Sequence, residues 1–158
     1  MVQVEFDEGM AEVSCSRVIR ARPEDVWAVL ADFGAAAGWA DGVDHCSLLR
    51  HTADSPGVGT ARRVQVGRDT FVETITDFQA NRVLAYDIAG LPPPVSANNR
   101  WTLRPDSTTT TAVTLTSSVH ASRGPLRRLG EGVLARIMAR RSRALLASLA
   151  SASEGVSV

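Results

Sequence analysis

The sequence contains no lysine; all 17 of its basic residues are arginine. Schiff-base catalysis through a lysine amine is therefore excluded. Arginine, whose pKa stays above about 12, is also a poor proton shuttle. Cysteine is nearly as scarce: Cys15 and Cys46 are too few for a disulfide framework and read as small buried or half-buried residues. The 17 acidic residues balance the 17 arginines, so no global field points to a nucleic-acid partner. No apolar run approaches the roughly 20 residues that span a membrane, and the acidic start MVQVEFDEGM lacks the apolar segment of a signal peptide. A cytoplasmic location is the simplest expectation. His45, His51 and His120 are far apart and their strand parities do not converge, so neither a metal site nor a cofactor is expected.

What the chain does have is a long helical period at its end. Leu126, Leu129, Val133, Ile137, Ala144, Leu145 and Leu149 recur at three- and four-residue steps, broadened by Leu134, Met138 and Leu146. This predicts a helix over about Pro125–Ala152, with Pro125 in its first turn and Ser122 as a possible N-cap. Pro23, followed by Glu24 and Asp25, opens an earlier helix that ends at Gly34, and AAAGW at 35–39 reads as a second short one. The remaining chain changes to period two. Strands are expected near Glu12–Arg20, Val43–Arg50, Thr60–Val66, Thr70–Asp77, Val83–Ala89, Ser96–Arg104 and Thr109–Ala121. PGVG at 56–59 precedes a strand rather than a helix and reads as a turn, and PPP at 92–94 as a stiff loop. Val2, Val4 and Phe6 either extend the first strand or form a loose arm. Length suits one domain over 1–158, with 1–10 a possible arm and 153–158 a frayed tail. The expected architecture is α+β: a curved antiparallel sheet of about seven strands, two short helices, and a long C-terminal helix over an internal cavity.

Parity sorts the faces of that sheet. The more apolar sets, assigned inward, are Arg62, Val64 and Val66; Phe71, Glu73 and Ile75; Leu84, Tyr86 and Ile88; Asn99, Trp101 and Leu103; and Val113, Leu115, Ser117 and Val119. The inward face thus carries Arg62, Glu73, Tyr86, Asn99 and Ser117. A buried charge without a partner costs several kcal/mol, so Arg62 and Glu73 must pair, reach water or bind something polar. Two readings stay open: a structural ion pair in a wet core, or a ligand pocket with a few converging polar groups.

The order of elements and several motifs resemble the polyketide cyclase/dehydrase-like branch of the START/Bet v 1-like superfamily, the helix-grip fold. The matching stretches are I-R-A-R-P-E-D-V-W at 19–27, D-F at 32–33 with Trp39 following, G-T-A-R at 59–62, F-V-E-T-I-T-D-F at 71–78, L-A-Y-D-I at 84–88, and W-T-L-R-P at 101–105 ahead of T-A-V-T-L. The resemblance implies a cavity for bulky apolar or aromatic molecules between the sheet and the last helix. Some members cyclise, dehydrate or aromatise poly-β-ketone chains without a cofactor, and others carry or sense ligands. Arg62 and Glu73 resemble the family's recurrent inward Arg and Glu, Tyr86 its strand tyrosine, and Trp39 the aromatic at the cavity mouth. Aromatase-type members polarise a carbonyl with a cavity arginine, for which Arg62 is the nearest inward candidate.

Ring closure of a ketone chain needs a base for an acidic CH, a donor for the developing enolate oxygen, and a cavity that folds the chain. Glu73 is the candidate base, and Arg62 and Tyr86 are the candidate donors. Trp39, Phe71, Asn99, Trp101 and Ser117 on the sheet side, His120 at the end of the last strand, and Val133 and Ile137 on the helix are the candidate ligand contacts. The leading expectation is a cyclase or dehydratase acting on a polyketide-like chain, as a monomer or homodimer. The alternatives are a binding or transport protein for a hydrophobic molecule and an auxiliary protein acting through a partner. Arg123, Arg127, Arg128, Arg136, Arg140, Arg141 and Arg143 read as a solvated helix face, or as a contact for an acidic partner such as an acyl carrier protein or for an anionic membrane surface. Arg140 or Arg141 lies close enough to the inward stripe to enter the cavity.

Overall fold

The computed structural model describes residues 1–7, 9–51, 56–121 and 130–155. Among them lie eight strands: β1 (Val2–Asp7), β2 (Met10–Ile19), β3 (His45–Arg50), β4 (Ala61–Val66), β5 (Asp69–Gln79), β6 (Val83–Ala89), β7 (Ser96–Pro105) and β8 (Thr111–His120). Helix α1 (Pro23–Leu30) and a 3₁₀ helix (Phe33–Gly38) separate β2 from β3, and α2 (Glu131–Glu154) follows β8. The strands form one sheet in the order β1-β2-β8-β7-β6-β5-β4-β3, antiparallel throughout. This is the α+β helix-grip arrangement, with eight strands rather than seven.

The hairpins follow from local chemistry. Gly67, at φ +60°, opens the two-residue link between Val66 and Asp69, a conformation that glycine adopts without a Cβ penalty. Register shifts at Leu48/Arg50 and Ile75/Asp77 mark bulges, which bend a strand and increase its twist. Between them the register puts Arg62 opposite Glu73, Tyr86 opposite Asn99, Asn99 opposite Ser117, and Leu84 and Leu115 on either side of Trp101. The core on this face is built from Ile19, Phe33, Ile75, Leu84, Trp101 and Leu115, closed by Leu146 and Leu149 of α2.

Three boundaries differ from expectation. Residues 2–7 are not a loose arm: Val2, Val4 and Phe6 pair with Cys15, Val13 and Ala11, making β1 an edge strand. β8 begins at Thr111 because Asp106, Ser107 and Thr110 hydrogen-bond among themselves as a turn. Helix α2 runs on through Ser153, which is fully buried, so the helix end is not frayed there. Ser122, Pro125, Leu126, Leu129, Arg123, Arg127 and Arg128 lie outside the described residues.

The buried stripe of α2 also differs. It runs through Ala135, Met138, Ala139, Ser142, Leu145, Leu146, Leu149, Ala150 and Ser153, a three–four spacing. Val133 and Ile137 are 46% and 54% exposed. Small residues line the first half of the stripe, and the Cys15 thiol reaches the Ala139 carbonyl at 4.0 Å. Close approach of the helix to β2 favours alanine and serine there and leaves the larger side chains at the edge. No helix among the described residues is long and apolar enough to cross a membrane.

Candidate ligand cavity

A cavity of about 350 Å³ opens between the sheet and α2, at the lower end of the roughly 300–1,000 Å³ typical of small-molecule pockets. Its walls are mostly apolar. Val64, Phe71 and Ile88 come from the sheet, Met138 and Leu145 from α2, and Trp39 from the 3₁₀ segment. Leu91 and Val95, flanking the three prolines, form part of its rim.

Arg62 and Glu73 face each other across β4 and β5 with only 6% and 9% of their surfaces exposed. Arg62 Nε donates to Glu73 Oε2 at 2.6 Å, and Nη1 donates to the Phe33 carbonyl at 2.9 Å. The guanidinium also stacks 3.8 Å over the Phe33 ring and lies 5.1 Å from that of Tyr86, both within cation–π range. Burial acts to lower the Arg62 pKa, but the Glu73 carboxylate, with smaller help from Tyr86, outweighs it and holds the guanidinium above its ordinary value. Glu73 Oε1 has no hydrogen-bond partner among the described residues.

Tyr86 is buried beside this pair. Its phenol oxygen accepts hydrogen bonds from Asn99 Nδ2 at 3.3 Å and Trp101 Nε1 at 3.2 Å. Burial, then the nearby Glu73 charge, raises its pKa, against the opposing pull of Arg62 and the two donors. The phenol therefore stays protonated. With both donors pointing at its oxygen, its own proton is the group left to give, and no acceptor for it stands among the described residues. Asn99 is fixed in turn by Ser117, whose hydroxyl donates to Oδ1 at 2.7 Å and lies 3.4 Å from Ser142 Oγ on α2. The indole N–H of Trp39 is buried without a hydrogen-bond partner among the described residues, and its ring meets Trp101 edge-on at 6.2 Å.

Arg62, Glu73, Tyr86, Trp39, Phe71, Asn99, Trp101, Ser117 and Ile137 all line this one cavity. His120 and Val133 do not: both are exposed, His120 at the far end of β8 and Val133 on the outer side of α2. The Phe33 carbonyl that anchors Arg62 carried no signal in the sequence, because a backbone acceptor is placed by the 3₁₀ turn and not by residue type. Arg141 also lines the cavity. Its spacing from Met138 and Leu145 is the helical signal for it.

The polyketide cyclase/dehydrase and lipid transport family model matches residues 10–154 of the chain. No curated protein matches it in sequence. The Zhui aromatase/cyclase from Streptomyces sp. R1128 superposes with a TM-score of 0.76 at 21% identity, over 92% of this chain and 94% of that one. A START superfamily protein from Mycobacterium smegmatis gives 0.78 at 15% identity, over 92% and 99%. The di-domain ARO/CYC StfQ from the steffimycin biosynthetic pathway gives 0.75 at 13% identity, over 94% of this chain and 52% of that one. These likenesses establish a shared fold.

Proposed function

Since the chain belongs to the polyketide cyclase/dehydrase and lipid transport family, we propose that it folds a poly-ketone or related apolar chain in the cavity beneath α2 and closes a ring by an aldol-type step with dehydration. The observation that carries this reading is the Tyr86 phenol, held neutral in an apolar cavity with its oxygen satisfied by Asn99 and Trp101 and its proton free. A neutral donor in a mostly apolar cavity stabilises an oxygen that gains negative charge, and does so without reorganising at the moment of reaction.

In this reading a substrate carbonyl accepts from Tyr86 and from an N–H of Arg62 not used by Glu73 or Phe33. Glu73 Oε1 takes the proton from the carbon next to that carbonyl. The enolate carbon attacks a second carbonyl further along the folded chain, and the new alkoxide recovers a proton. Loss of a further CH proton and of the hydroxyl as water leaves the double bond. Trp39, Phe71, Trp101 and Ile137 bend the chain, and Asn99 with Ser117 sets the phenol. Arg136, Arg140 and Arg143, exposed on α2, offer an acidic carrier protein a surface on which to present the chain.

A second reading, carriage without chemistry, is favoured by the Arg62–Glu73 pair, which is already closed at 2.6 Å. One experiment separates the two. A linear poly-β-ketone thioester is incubated with the protein while aromatic absorbance and ligand binding are followed. The expected result is ring formation faster than in buffer, slowed about 10²-fold in kcat by Tyr86→Phe and also lowered by Glu73→Gln. Saturable binding with a ring-forming rate equal to that of buffer assigns the protein to carriage instead.

A further inference from the structure

Arg141 is a cation of the cavity wall without an anion. Among the ionisable groups lining the cavity, Arg62 and Glu73 neutralise each other in their ion pair. Arg141 forms no ion pair among the described residues. Its Nη1 donates to a neutral group, the Asp41 carbonyl, at 2.5 Å. Gly42, at φ +78°, lies against it: a Cβ there would stand 2.8 Å from Nη1. Arg141 is half-buried: its guanidinium meets one backbone oxygen and no carboxylate among the described residues, which leaves it open to an anion entering the cavity.

The same rim has a second deficit. Trp39, two residues before Asp41, buries its indole N–H without an acceptor among the described residues. An unmet buried donor costs about 1–3 kcal/mol. A cation without an anion and a donor without an acceptor thus belong to one cavity wall, Arg141 through its bond to the Asp41 carbonyl and Trp39 two residues earlier in the chain. Tyr86 and Arg62 line the same cavity further along the sheet. One ligand chemistry meets both deficits, an oxygen-bearing monoanion.

We propose that the cavity's ligand is a carboxylic acid, an apolar ring-sized body whose carboxylate pairs with Arg141 and one of whose oxygens accepts from Trp39 Nε1. This rests on the cavity being the ligand site, as in the proposed function, and concerns a free acid rather than a chain still held as a thioester. The apolar body lies against Val64, Phe71 and Ile88, and the carboxylate fixes which end of the molecule faces Tyr86.

The test compares 2-naphthoate with 2-acetonaphthone by titration calorimetry at neutral pH. The two share ring and carbonyl and differ in charge. The intact protein is expected to bind the acid about tenfold more tightly, as one charge-assisted pair allows, with the preference shrinking as salt is added. Arg141→Gln is expected to erase the preference while leaving ketone affinity unchanged. Arg141→Lys should keep part of it, and Arg140→Gln, on the exposed side, all of it. Equal affinity for acid and ketone in the intact protein, or a preference that survives Arg141→Gln, overturns the proposal while the cavity reading stands. Binding of neither ligand overturns both.

Discussion

Tyr86 is the only tyrosine in the chain, so its phenol can be followed alone. Burial, reinforced by the Glu73 charge, places its pKa above the ordinary 10.0. The folded chain then keeps a proton that the unfolded chain gives up, so stability falls as pH rises above about 10. Phenolate absorbance is expected to appear at higher pH in the native protein than in denaturant, and urea stability to decline over the same alkaline window. A native midpoint at or below the denatured one would mean the phenol reaches bulk water and is no cavity donor. The inward setting of Arg62, Glu73, Tyr86 and Asn99 was legible from strand parity alone, because period two leaves each side chain only two directions. The Phe33 carbonyl under Arg62 and the orphaned indole of Trp39 were not legible. Both depend on how a 3₁₀ turn and its exit stand against the sheet, which no local pattern encodes.

Helix α2 decides whether there is a cavity to fill. Its last turns are anchored by Leu145, Leu146 and Leu149, and its middle by Ala135, Ala139 and Ser142. Leu149→Ala is expected to cost about 2–5 kcal/mol in denaturant unfolding, by lost burial plus a residual void. Val133→Ala, at an exposed position, should stay within about 0.5 kcal/mol. Equal costs for the two would place the buried stripe elsewhere. The existence and direction of this helix were plain in its three–four repeat, whereas its rotation was not. Counting large apolar residues selects Val133 and Ile137, but a helix that closes on β2 does so over small ones. β1 was ambiguous for a related reason. Its alternation of Val2, Val4 and Phe6 fits a strand, yet only pairing with β2 supplies the partner that makes it one.

Across the whole molecule, the meander of successive strands was legible in the short turns between neighbours, whereas the placing of β2 beside β8 was not, because no turn joins the two. The hollow itself is a property of no segment. It is the space left when a helix packs on β2 at one side, where Cys15 meets Ala139, and stands clear of Phe71 and Ile88 at the other. Its size and the closed Arg62–Glu73 pair therefore became visible only in three dimensions. If this hollow receives the ligand, the three tryptophans report on it. Trp39 and Trp101 line it, whereas Trp27 is buried against Phe78, with ring centroids 5.1 Å apart. Titrating 2-naphthoate into ¹⁵N-labelled protein and following the indole N–H signals is the direct measurement. With the ligand in the hollow, the Trp39 and Trp101 signals move together to saturation while Trp27 stays in place. Movement of Trp27 alone, or of none of the three once binding heat has saturated, would contradict it.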